Sequence, residues 1–147
     1  MKAQDIMAKN PRCVTPRTTV QEAARLMKSE DVGALPVISD DSSRKLIGII
    51  TDRDITIRVV AEGRNVERCV VEEVMSKSSL ATAKTSDSVE DVMKVMGKEQ
   101  VRRIPIVNEN NEVVGVVSQA DVVRKADSDV RAERTIEKIS EPGGRHS

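Results

Sequence analysis

A chain of 147 residues is long enough for one domain, or for two small ones that share a hydrophobic core. Lys plus Arg and Asp plus Glu each number 24, a balance that excludes broad attraction to nucleic acid or anionic lipid. There is no Phe, Tyr or Trp, and the one histidine is His146, so neither base stacking on aromatics nor catalysis by a positioned imidazole is open to the body of the chain.

The N-terminal "MKAQDIMAKN" has no signal-type apolar stretch, and no apolar run approaches the roughly 20 residues needed to span a bilayer. Cys13 and Cys69 are far apart and outside any metal-ligand spacing. Together these features predict a cytoplasmic protein with reduced thiols, no metal and no membrane association.

Thr19-x-x-Glu22 has capping-box spacing ahead of Val20, Ala23, Ala24 and Met27, which recur as one face of a helix. A short β-branched run, "ALPVI", the polar turn "SDDSSRK" and a second run, "LIGII", then predict a hairpin. Its second strand feeds a helix, "DRDITIRVVAEG", closed by Gly63 in a position that suits a helix C-cap.

The same order returns. "TTVQEAARLMKSEDVGALPVI" aligns without gaps on "DSVEDVMKVMGKEQVRRIPIV", and "LIGIITDRDI" aligns on "VVGVVSQADV" once the turn loses two residues to become "NENNE". Upstream, "QDIMAKNP" and "EEVMSKSS" correspond through Met7 and Met75. Each copy reads strand, helix, strand, strand, helix over about 60 residues, too few to bury one sheet face alone. The expectation is a mixed α/β (α+β) fold of two β-α-β-β-α repeats packed by their sheets with pseudo-twofold symmetry. The division is residues 1–65, 66–126, and a charged segment and tail over 127–147.

Both hairpins end in a hydroxyl followed three residues later by an acid: Thr51 and Asp54, then Ser118 and Asp121. That spacing is itself a capping box and needs no ligand. The same geometry suits a nucleotide: a hydroxyl beside unpaired N–H groups at a helix start attracts phosphate, and an acid one turn on accepts the hydroxyls of a ribose. Arg58 and Lys125 stand four residues after Asp54 and Asp121, the spacing of helix-surface ion pairs or of phosphate contacts.

The tandem copies, the repeated G-x-x-[TS]-x-x-D in "GIITDRD" and "GVVSQAD", and the strands "VGALPV" and "VRRIPIV" resemble a stand-alone CBS-domain pair, or Bateman module, over residues 1 to 126. The resemblance implies two clefts between the domains that take adenosine-containing ligands: AMP, ADP, ATP, NAD or S-adenosylmethionine. It implies Thr51, Asp54, Ile49, Ile50, Gly33, Ala34 and Arg53 for one cleft, and Ser118, Asp121, Val116, Val117, Arg102 and Arg103 for the other. It also implies a regulatory role, an adenosine nucleotide as regulatory ligand rather than catalytic cofactor, a homodimer formed through exposed helices and a protein partner that reads the ligand state.

The copies differ where phosphate would be sensed. Arg102 and Arg103 stand where the first copy has Gly33 and Ala34, and "TDRD" faces "SQAD", so two unequal sites are expected. No nucleophile triad, phosphate loop or metalloprotease helix is present, so no enzyme is expected. The alternative is a structural or interaction module with vestigial clefts.

Overall fold

Short elements alternate along the chain in the computed structural model, which describes residues 1–126; the charged segment expected over 127–147 lies outside the described residues. They run α1 (Ala3–Ile6), β1 (Ala8–Lys9), α2 (Val20–Glu30), β2 (Ala34–Ile38), β3 (Leu46–Thr51) and α3 (Asp52–Ile55), which continues as a π-helical turn over Thr56–Val60. After a 3-10 turn at Val71–Glu73 come β4 (Ala83–Lys84), α4 (Val89–Glu99), β5 (Arg103–Val107), β6 (Val113–Ser118) and α5 (Gln119–Ala126).

Two compact units result: Arg12–Leu80, and Met1–Pro11 together with the chain from Ala81. In the second unit the sheet order is β1-β6-β5-β4, with β4 parallel to β5 and the other pairs antiparallel. The first unit repeats this plan with its outer positions reduced to single bridges. Val14 lies parallel to Val37 beside β2, and Ser76 antiparallel to Ile49 beside β3.

The sequence division at 65/66 and the compact units therefore differ by two exchanged segments. The leading segment of the first repeat, with α1 and β1, packs in the unit built by the second repeat. Ala3 N donates to Asp87 O at 2.8 Å and Val89 N to Met1 O at 2.9 Å. The leading segment of the second repeat does the same for the first, with Val71 N donating to Thr18 O at 2.8 Å and Val20 N to Cys69 O at 2.8 Å. In each case the leading segment pairs along the free edge of the last strand of the hairpin, Ala8 with Val116 and Ser76 with Ile49.

The two glycines of the repeated motif exist for this crossing. A Cβ on Gly48 would lie 2.8 Å from Met75 Sδ and 2.8 Å from Ser76 O; on Gly115 it would lie 2.3 Å from Met7 Sδ and 3.0 Å from Ala8 O. Only a residue without a side chain lets the incoming segment lie flat on the strand.

Each unit has its own core. In the first, Val20, Ala23 and Met27 of α2 pack with Leu35, Val37 and Ile50; in the second, Val92, Met93 and Met96 of α4 pack with Ile104, Ile106 and Val117. The expected capping box at Thr19 is complete, with Glu22 N donating to Thr19 Oγ1 at 3.1 Å and Thr19 N to Glu22 Oε1 at 3.3 Å. At Ser88 only one half forms, Asp91 N donating to Ser88 Oγ at 3.0 Å, while Asp91 Oδ1 lies 4.0 Å from Lys94 Nζ.

Candidate functional site

Side chains alternate between the two faces of a strand, and β3 and β6 obey this strictly. Leu46, Gly48 and Ile50 are buried while Ile47, Ile49 and Thr51 are half-buried; Val113, Gly115 and Val117 are buried while Val114, Val116 and Ser118 are half-buried. Each hydroxyl thus emerges on the face away from its core. Of the residues expected to line a ligand, Ile49 and Val116 share that face. Ile50 and Val117, with no solvent exposure, commit their side chains to the cores and have only backbone to offer.

The hydroxyl and the acid form reciprocal caps. Asp54 N donates to Thr51 Oγ1 at 3.0 Å and Thr51 N to Asp54 Oδ2 at 2.9 Å. In the second copy Asp121 N donates to Ser118 Oγ at 3.1 Å and Ser118 N to Asp121 Oδ2 at 2.8 Å. One carboxylate oxygen is therefore fixed by backbone, which leaves Oδ1 as the chemically addressable atom.

A cation meets that atom in both copies. Arg58 Nε lies 3.9 Å from Asp54 Oδ1, and its Nη1 donates to Val74 O at 3.1 Å. Arg124, three residues after its acid, pairs with Asp121 Oδ1. The acids are fixed and sheltered, with side chains 14% and 6% exposed, while Arg58 and Arg124 are 53% and 71% exposed.

The expectation of unpaired N–H groups at both helix starts fails in the first copy. Asp52 N donates to Gly33 O at 2.9 Å, Arg53 N to Asp52 Oδ1 at 2.8 Å and Asp54 N to Thr51 Oγ1. Asp52 thus places a carboxylate of its own on an N–H at this helix start. In the second copy Gln119 N donates to Arg102 O at 2.8 Å, and the neutral Gln119 stands where the first copy has Asp52. The "TDRD" and "SQAD" difference is thus a charge difference at the helix mouth.

The remaining expected residues lie beside these caps. Ala34 is the register partner of Thr51, and Arg103 that of Ser118, so Gly33 and Arg102 adjoin the two helix starts through the backbone bonds just given. Arg102 is exposed and Arg103 half-buried; Arg53 is exposed. Within each unit, then, the structure gathers the expected set. Sequence reasoning missed Arg124, the Val74 carbonyl and the self-capping Asp52; the one available signal was a second basic residue beside Lys125.

Among the described residues no group of three or more His, Cys, Asp or Glu side chains could hold a metal ion, and no helix is long and apolar enough to cross a membrane. A family model described as "CBS domain" matches residues 3–61 and 71–128. The chain belongs to the CBS-domain family. Among its relatives is the CBS domain-containing protein YhcV of Bacillus subtilis, 39% identical over 137 residues, covering 93% of this chain and 94% of that protein. The crystal structure of Hypoxic Response Protein I with two coordinated zinc ions is 35% identical with a TM-score of 0.74, covering 84% of this chain and 98% of that one. The crystal structure of CBSX2 in complex with AMP is 27% identical with a TM-score of 0.72, covering 86% of this chain and 96% of that one. This CBS-domain pair thus has the capping geometry described above in both repeats, and AMP is the ligand of one relative of similar fold.

Proposed function

We propose that this CBS-domain pair is a non-catalytic regulatory module of the cytoplasm that senses adenosine-containing nucleotides: AMP, ADP, ATP, NAD or S-adenosylmethionine. Asp54 and Asp121 take the ribose hydroxyls through Oδ1, with Thr51 and Ser118 beside them. Gly33, Ala34, Ile49 and Arg53 complete one set, and Val116, Arg102 and Arg103 the other. The carrying observation is that both acids are held by a cap on one oxygen and present the other to an arginine.

The two sets are unequal. A phosphate is disfavoured by the Asp52 carboxylate in the first and favoured by Arg102 and Arg103 in the second. Titration calorimetry of the folded chain with AMP, ATP, NAD and S-adenosylmethionine tests the reading: saturable heat with at least one supports it, and none with any sinks it.

A second reading, an interaction module that forms a homodimer or docks a partner protein, has one observation in its favour. Ile57 and Val60 of the π turn and Val123 of α5 are 48%, 61% and 45% exposed. Sedimentation that shows a monomer at all concentrations removes the homodimer.

A further inference from the structure

Each acid of the two caps meets an arginine one turn further along the chain. Arg58 stands four positions after Asp54 and Arg124 three after Asp121, both spacings that bring a side chain onto the same helix face as its acid. The repeat therefore presents the same chemical pair twice, a capped carboxylate whose second oxygen faces a guanidinium.

Each pair joins a sheltered carboxylate, capped on its other oxygen, to a guanidinium on a long side chain more than half exposed. An ion pair with one partner in solvent is open to exchange. A ribose diol approaching Oδ1 meets the arginine there. A neutral riboside displaces that cation and offers it nothing in return, whereas a phosphorylated one supplies a new anion for the fork to hold.

We infer that Arg58 and Arg124 are exchangeable counter-ions of Asp54 and Asp121, and that they make the module select phosphorylated adenosine ligands over adenosine and S-adenosylmethionine. The inference rests on the nucleotide-binding reading above and deepens it.

The test is calorimetry with AMP and with adenosine on the wild type, on Arg58→Gln/Arg124→Gln, and on Arg58→Lys/Arg124→Lys. The wild type should prefer AMP, by about tenfold if the charge-assisted bond has its usual strength. The Gln pair should lose most of that preference while binding adenosine as well as before or better, and the Lys pair should keep part of it. An AMP-to-adenosine ratio unchanged in the Gln pair, even with a lowered melting temperature, would make the arginines mere braces of the caps and overturn the inference. So would a wild type that binds adenosine or S-adenosylmethionine as tightly as AMP. A wild type that binds none of AMP, adenosine and S-adenosylmethionine overturns the inference alone, and only if ATP and NAD also give no heat does the reading beneath it fall.

Discussion

Gly48 shows how a single residue can carry a fold-level constraint. Its missing side chain leaves room for Met75 and for the Ser76 carbonyl, which accepts a hydrogen bond from Ile49 N at 3.0 Å. Gly48→Ala forces backbone to move, not merely a flexible thioether, and should cost about 1–3 kcal/mol in urea unfolding. Cys69 makes a second residue-level case. Burial, and then the Glu73 carboxylate that accepts its S–H at 3.5 Å, hold the thiol above its ordinary value. The fold favours the protonated thiol, so this contribution is whole below the ordinary thiol value of about 8.5 and is lost as pH rises through the higher folded value. The melting temperature should therefore fall on the alkaline side more steeply in the wild type than in Cys69→Ala. The two hydroxyl-x-x-Asp pairs were legible because a cap is a local device, written in four consecutive residues. Arg124 was not, because Arg124 and Lys125 stand three and four residues after Asp121 and either spacing can reach an acid on a helix.

At the scale of elements, α2, α4 and both hairpins follow from local periodicity and turn chemistry. Val20, Ala23 and Met27 sit on one buried stripe, and the indel between the copies falls in the hairpin turn. The exchange of leading segments does not follow from the sequence. "QDIM" and "EEVM" are interchangeable in pattern, and only the crossing of the chain decides which unit each one joins. A chain lacking residues 1–9 should lose the pairing of Ala8 with Val116 and Lys9 with Gly115, together with the fully buried Ala3. Hydrogen exchange should then quicken in β6 and at the start of α4 while β2 and β3 keep their protection. Equal acceleration in both hairpins would argue against the exchanged arrangement.

For the whole molecule, zero net charge and the missing aromatic residues offer no broad attraction to polymers, so the proposed function places recognition in two local sites. The repeat supplies both proposed sites, and the differences between its copies make them unequal. Asp52 places a carboxylate at the helix start of one, and Arg102 and Arg103 stand beside the other. A ligand that distinguishes them can bias the module only by that difference in affinity, so a sensor of phosphorylated ligands should act mainly through the second set. The most direct measurement of this account is calorimetry of AMP binding to the wild type, Asp54→Ala and Asp121→Ala, each first shown to be folded. The account predicts saturable binding by the wild type, a loss of at least about tenfold in Asp121→Ala and a smaller loss in Asp54→Ala. AMP affinity unchanged in both variants, with only their melting temperatures lowered, would show that the two acids are helix caps and nothing more.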